Sequence, residues 1–99
     1  MTHLRLWRFA VPSDADVRFV AAYKSDGEWA RLFAAAAGFI RTDLWREADG
    51  TYLTADLWES AAAFERFQAE SGDAYRQLDA QLEGIAGIET FVGAFDLVD

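Results

Sequence analysis

Hydropathy in this chain alternates with a period of two, then of three to four, and then repeats that switch once more, which leaves few folds open. Leu4 to Val11 (Leu-Arg-Leu-Trp-Arg-Phe-Ala-Val) is rich in β-formers, and Pro12 ends the run because proline cannot continue a ladder. Ser13 with Asp16 three residues on resembles a capping box, and Val17, Val20 and Ala21 follow at helical spacing, predicting a first helix to about Tyr23. After the turn residues Lys24 to Gly27, a second helical stripe (Trp29, Leu32, Phe33, Ala36) is closed by Gly38. Phe39 to Glu47 and Tyr52 to Trp58 read as strands around Asp49-Gly50, a two-residue hairpin signal. Ser60 is placed to cap a further helix carrying Phe64 and Phe67. Gly72 breaks or kinks it, and Tyr75, Leu78, Leu82 and Ile85 continue the stripe toward Gly84. Ile88 to Val98 is the last strand. Two split β-α-β units in this order give an α+β, ferredoxin-like antiparallel sheet with helices on one face.

Ninety-nine residues cannot fill two independent cores, so residues 1–99 are expected to form one domain. At 53 % hydrophobic and 15 % aromatic the chain has too much apolar matter to stay disordered. It contains no cysteine and one histidine, His3, which excludes disulfide frameworks, thiolate nucleophiles, sulfur-ligated metal and any site built on two imidazoles. No metal or organic cofactor is expected. A formal charge of −8 disfavours phosphate backbones and anionic lipid, so neither nucleic acid nor membrane is expected as a partner. No signal peptide or apolar run of about 20 residues is visible, giving an expectation of a cytoplasmic protein. Eight arginines against one lysine, with abundant alanine, look like a GC-rich bacterial genome.

The strands are apolar on both sides. Leu4 and Leu6 oppose Trp7, Phe9 and Val11, and in the last strand Ile88, Val92 and Ala94 oppose Phe91, Phe95 and Leu97. A monomer would expose a broad apolar patch, so a homodimer is expected, with a second copy covering the sheet. Burying about 800 Å2 per subunit at about 25 cal/mol/Å2 yields about 20 kcal/mol gross, before association entropy is subtracted.

The element order, the Asp-Gly hairpin and Leu57-Trp58-Glu59-Ser60 leading into Phe64 and Phe67 resemble the antibiotic biosynthesis monooxygenase domain of the dimeric α+β barrel superfamily. A second piece, Ala22-Tyr23 with Asp26-Gly27-Glu28-Trp29-Ala30-Arg31-Leu32-Phe33 and Gly38-Phe39, resembles one bacterial branch of it. The resemblance spans nearly the whole chain and implies a dimeric barrel around a pocket for a small aromatic or polyketide-like ligand. The family includes cofactor-free oxygenases, haem-degrading enzymes and proteins of unknown role. Its haem-degrading members use an Asn on the first strand with a Trp and a His on the later helix. Here Phe67 and Gln77 hold the last two positions and the first strand has no Asn, so haem would lack its axial imidazole.

A two-residue hairpin would set Asp43 opposite Asp56, Arg41 opposite Trp58, Trp45 opposite Thr54 and Glu47 opposite Tyr52, all on one face. Asp43 and Asp56, held together away from water, would not both ionise, leaving one as a general acid or base. Alternatively both are solvated, or neutralised by Arg41 or another arginine. The aromatics Trp7, Trp29, Trp45, Tyr52, Trp58 and Tyr75 can wall a pocket for a flat ligand or can simply pack as core. Arg5 shares a face with Trp7 and Phe9, where it must find a carboxylate, water or an enolate oxygen. The expected site is therefore Asp56 and Asp43 as catalytic groups, with Arg5, Trp7, Arg41, Trp45, Tyr52 and Trp58 binding substrate. The function expected is a cofactor-independent monooxygenase, against the alternative of a non-catalytic ligand-binding or stress-related accessory protein. Neither a phosphate-binding loop nor a hydrolytic triad is present.

Overall fold

The computed structural model describes residues 1–98. Four strands, β1 (His3–Ala10), β2 (Phe39–Arg46), β3 (Tyr52–Trp58) and β4 (Ile88–Asp96), form one sheet in the order β2-β3-β1-β4. Every neighbouring pair is antiparallel. Helices α1 (Asp16–Tyr23), α2 (Glu28–Ala34) and α3 (Ala61–Gln81) cover one face. This is the expected α+β arrangement. Among the described residues no helix is long and apolar enough to cross a membrane.

An aromatic core fills the space between helices and sheet, with Phe9 and Trp58 from the strands meeting Phe19, Tyr23, Trp29, Phe33, Phe64 and Phe67. Trp58 is fully buried, and the rings of Phe33, Phe39, Phe64 and Phe67 surround it with centroids 5.2–5.6 Å away. Ser60 caps α3, its Oγ accepting from the Ala63 N–H at 3.0 Å. The α3 backbone leaves helical geometry at Ser71, just before Gly72, where the sequence predicts a break or kink. The expected capping box at Ser13 does not form. Ser13 instead opens a short 3-10 turn, Ser13–Ala15, and Asp16 accepts a hydrogen bond from the Tyr52 hydroxyl.

Two local features change which side chains share a face. The β2–β3 hairpin closes with three residues, Ala48-Asp49-Gly50, in place of two. Glu47 and Thr51 pair around the loop: the Glu47 N–H donates to Thr51 O at 2.8 Å, and the Gly50 N–H donates back to Glu47 O at 2.9 Å. Gly50 takes φ +90°, the left-handed residue that such a loop needs. Asp49 Oδ1 secures it by accepting from the Thr51 N–H at 3.0 Å and from its hydroxyl at 2.7 Å. The register is consequently Thr42↔Asp56, Asp43↔Ala55, Leu44↔Thr54, Trp45↔Leu53 and Arg46↔Tyr52, offset by one from the expected pairing. Asp43 is thus not across from Asp56, and Arg41 pairs with Leu57, not Trp58.

The second feature lies in β4. Leu6 pairs with Gly93 while Trp7 pairs with Phe91, so Val92 bulges out of the ladder and the alternation reverses there. Glu89 and Phe91 lie on the helix side with Phe9 and Trp7, whereas Phe95 lies opposite Leu4 on the open side. The expected grouping of Phe91 with Phe95 and Leu97 is therefore split. The open face nevertheless remains apolar, as expected: Leu4, Leu6, Leu53 and Leu57 are half-buried, while Trp45 (58 % exposed), Ile88 (73 %) and Phe95 (48 %) are open to solvent.

Candidate functional site

Between the sheet and the second half of α3 lies a pocket whose walls are aromatic and whose floor is polar. Trp7, Tyr23, Trp29, Phe33 and Tyr75 form the walls, Thr42, Thr54 and Asp56 the floor, and the exposed Asp79 and Glu89 the mouth. Within about 430 Å3 of empty space that includes the open mouth, its cavity volume is about 50 Å3. That holds a few waters. A fused-ring guest needs the side chains around the mouth to move apart.

The floor is built by the one-residue hairpin offset. It places Thr42 beside Asp56, and the Thr42 hydroxyl donates to Asp56 Oδ1 at 2.6 Å. Burial pushes the Asp56 carboxyl up from 3.8 to about 6, opposed by the Thr42 hydrogen bond and by the positive field of Arg5. Oδ1 is thereby anchored, while Oδ2 has no hydrogen-bond partner among the described residues. Such a group exchanges a proton near neutrality.

Arg5 is Asp56's cross-strand partner on β1. Its guanidinium carbon lies 3.9 Å from the centre of the Phe64 ring and 4.8 Å from that of Phe91, held between two π-faces. It forms no ion pair or hydrogen bond among the described residues, so its donors stay available although it is half-buried. Burial lowers its pKa while Asp56 and Tyr75 raise it. Burial also raises the Tyr75 hydroxyl, reinforced by the fields of Asp79, Asp56 and Glu89. The indole N–H of Trp29 is buried in the wall against the Tyr23 hydroxyl, whose titration burial raises and the neighbouring indole N–H lowers.

A family model, antibiotic biosynthesis monooxygenase, matches residues 4–85. The chain belongs to the antibiotic biosynthesis monooxygenase family. Among solved structures it is similar to SnoaB, a cofactor-independent oxygenase from Streptomyces nogalater, at 25 % identity and a TM-score of 0.68, over 99 % of this chain and 94 % of that one. The ActVA-Orf6 monooxygenase of Streptomyces coelicolor, solved with nanaomycin D, matches at 20 % identity and a TM-score of 0.72, over 98 % and 88 % of the two chains. Rv0793 from Mycobacterium tuberculosis matches at 17 % identity and a TM-score of 0.71, over 100 % and 97 %. No curated protein sequence matches significantly.

Within this family member the expected site residues divide between three places. Asp56 and Trp7 line the pocket, and Arg5 stands beside Asp56. Tyr52 and Trp58 face the helices without lining it. Tyr52 is bound to Asp16 and accepts from Arg46 Nη2 at 2.7 Å, and Trp58 is sealed in the core. Arg41, Asp43 and Trp45 turn to the open face because of the hairpin offset, and there Arg41 Nε donates to Asp43 Oδ2 at 2.9 Å. Of the other aromatics considered as pocket walls, Trp29 and Tyr75 take that place. The sequence reading missed Thr42, because the two-residue loop sent it to the other face. It also missed Asp79 and Glu89, which are ordinary solvated charges until α3 and β4 are brought together.

Proposed function

We propose that this protein is a cofactor-independent monooxygenase acting on an aromatic, polyketide-like substrate with an acidic C–H or O–H, such as an anthrone or hydroquinone. The observation that carries this reading is the Asp56 carboxyl, shifted to about 6 at the floor of an aromatic pocket, beside an arginine with unused donors. Membership of the family and likeness to SnoaB and ActVA-Orf6 support it.

On an anthrone, Asp56 Oδ2 removes one proton from the ring CH2, and the electron pair delocalises onto the carbonyl oxygen. Arg5 supplies N–H donors to the resulting enolate. The anion passes one electron to dioxygen, and the radical pair recombines as a C–O bond, giving a peroxide anion that is protonated by Asp56. Loss of water, made from the terminal peroxide oxygen, its proton and the second C–H proton, leaves a quinone carbonyl. One dioxygen is consumed, with one oxygen atom in the product and one in water. The aromatic walls limit water around the anion while the substrate's rings pack against them. The open sheet face is covered by a second copy of the chain in this reading.

The test is oxygen uptake by purified protein with a simple anthrone under air. Uptake above the uncatalysed rate, lost in Asp56→Asn and reduced in Arg5→Ala, is expected. Ligand binding without oxygen uptake across anthrones and hydroquinones would replace the oxygenase reading with that of a binding protein.

A further inference from the structure

The pocket floor carries two hydrogen-bonding atoms that the protein itself leaves unused. One is Asp56 Oδ2. The other is the hydroxyl of Thr54, two residues earlier on β3 and so on the same, helix-facing side of the sheet. Thr54 is only 5 % exposed, yet its hydroxyl takes part in no hydrogen bond among the described residues. Its cross-strand neighbours, Trp7 on β1 and Leu44 on β2, carry no side-chain acceptor. Nor is the hydroxyl sealed away. Among the described residues, the buried side-chain polar atoms lacking both a partner and an opening are the indole nitrogens of Trp29 and Trp58. Thr54 Oγ1 is not one of them, and from its place on the floor its opening is the pocket.

Burying a hydroxyl without a partner costs stability, and a valine in its place would avoid that cost. Here the hydroxyl stands where a guest would meet it. Two residues of a strand span about 6.6 Å, so Asp56 and Thr54 are set about as far apart as substituents at opposite ends of one aromatic ring. The Thr54 hydroxyl can donate, whereas an ionised Asp56 Oδ2 can only accept. The Thr42 hydroxyl proton is already committed to Asp56 Oδ1. The floor thus matches a ring that gives a proton at one end and presents an oxygen at the other.

We propose that Thr54 is a substrate-positioning residue whose hydroxyl donates to the ring oxygen directly across from the proton that Asp56 removes. This rests on the pocket being the substrate site, and it makes Thr54 a determinant of specificity for rings carrying that para oxygen. On a hydroquinone the oxygen is the second hydroxyl; on an anthrone it is the carbonyl, where Thr54 joins Arg5 as a donor.

Anaerobic calorimetric titration of the intact protein at about pH 7.5, above the Asp56 titration at about 6, tests this with three probes: 1-naphthol, 4-methoxy-1-naphthol and 3-methoxy-1-naphthol. The 3-methoxy compound has the same added bulk with its oxygen in the wrong place. The 4-methoxy compound is expected to bind roughly three- to tenfold more tightly than either of the others, the worth of one hydrogen bond. Its advantage over the 3-methoxy compound should vanish in Thr54→Val, which keeps the β-branched shape, and persist in Thr54→Ser, which keeps the hydroxyl. Without ligand, Thr54→Val should unfold in urea at the parent's midpoint or above it, since no protein contact is lost. Equal binding of the two methoxy compounds, a preference that survives in Thr54→Val or is lost in Thr54→Ser, or a clear fall in the Thr54→Val midpoint would overturn the proposal and leave the pocket reading in place. Failure of all three probes to bind would remove both the proposal and the pocket reading beneath it.

Discussion

Replacing Asp56 with Asn should make the protein more stable and less active at the same pH, by amounts tied to one ionisation. The Asp56 carboxyl titrates at about 6 in the fold and near 3.8 when exposed. Because the folded value is the higher one, the native state holds more protons than the unfolded state between about pH 4 and 6, and stability falls as pH rises through that window. Above it, keeping Asp56 ionised costs about 3 kcal/mol relative to an unburied carboxylate. Asn retains an oxygen for the Thr42 hydroxyl and has no charge to bury. Asp56→Asn should therefore match the parent protein near pH 4 and exceed it by about 2 to 3 kcal/mol near pH 7.5. Urea denaturation at a series of pH values measures this directly. Taking the difference between the two proteins cancels the pH dependence of the other groups around the pocket, Arg5 on β1, Tyr75 and Asp79 on α3 and Glu89 on β4, as far as they titrate alike in both. Oxidation should fall by roughly a hundredfold or more, the usual contribution of a positioned base. A stability difference that stays flat from pH 4 to 7.5 would refute the argument, because it would mean that Asp56 ionises as freely in the fold as outside it.

Oxygen uptake by the parent protein should rise with pH along a single-proton curve centred near 6, and a pH–rate profile in Asp56→Asn should lack that limb. Trp58→Ala removes the ring at the centre of the aromatic core and should cost about 3 to 5 kcal/mol, read by thermal or denaturant unfolding. Tyr52→Phe deletes the hydroxyl that joins Asp16 to Arg46 and should cost about 1 kcal/mol by the same measurement, with little change in oxidation. With a second copy covering the open sheet face, as proposed, the parent protein should sediment as a dimer and Phe95→Glu as a folded single subunit; a parent protein that sediments as a single subunit, or a variant that stays dimeric, would show that this face is not the contact.

Most of the architecture was legible because periodicity and turn residues are local signals. Ser60, Gly72 and Pro12 mark boundaries through backbone chemistry that acts within a few residues. The site was less legible because it depends on register. Asp49-Gly50 marks a turn but does not say whether two residues or three close it, and here Asp49 holds Thr51 in the longer form. That single residue separates Asp43 from Asp56 and brings Thr42 in. The bulge at Val92 is equally silent in the sequence, since both neighbouring strand halves alternate normally. Arg5 was visible as a charge among aromatics, yet its two-ring sandwich draws Phe91 from a strand more than 80 positions away. The pairing of Asp79 with Glu89 likewise exists only once α3 is laid against β4.

The three-residue hairpin loop is exposed at its tip and touches nothing in the pocket, yet its length decides which half of β2 meets the ligand. If β3 holds its place and the same residues closed on Asp49-Gly50 alone, with Ala48 drawn into the ladder opposite Thr51, β2 would slip by one residue, sending Thr42 outward and bringing Arg41, Asp43 and Trp45 beneath the helices. A relative of equal length whose bend favours the two-residue turn would then present two carboxylates and a cation to its guest where this chain presents a threonine and one carboxylate. Turn chemistry at a remote surface bend thus offers lineages of this fold a route to new reactivity without a substitution in either strand.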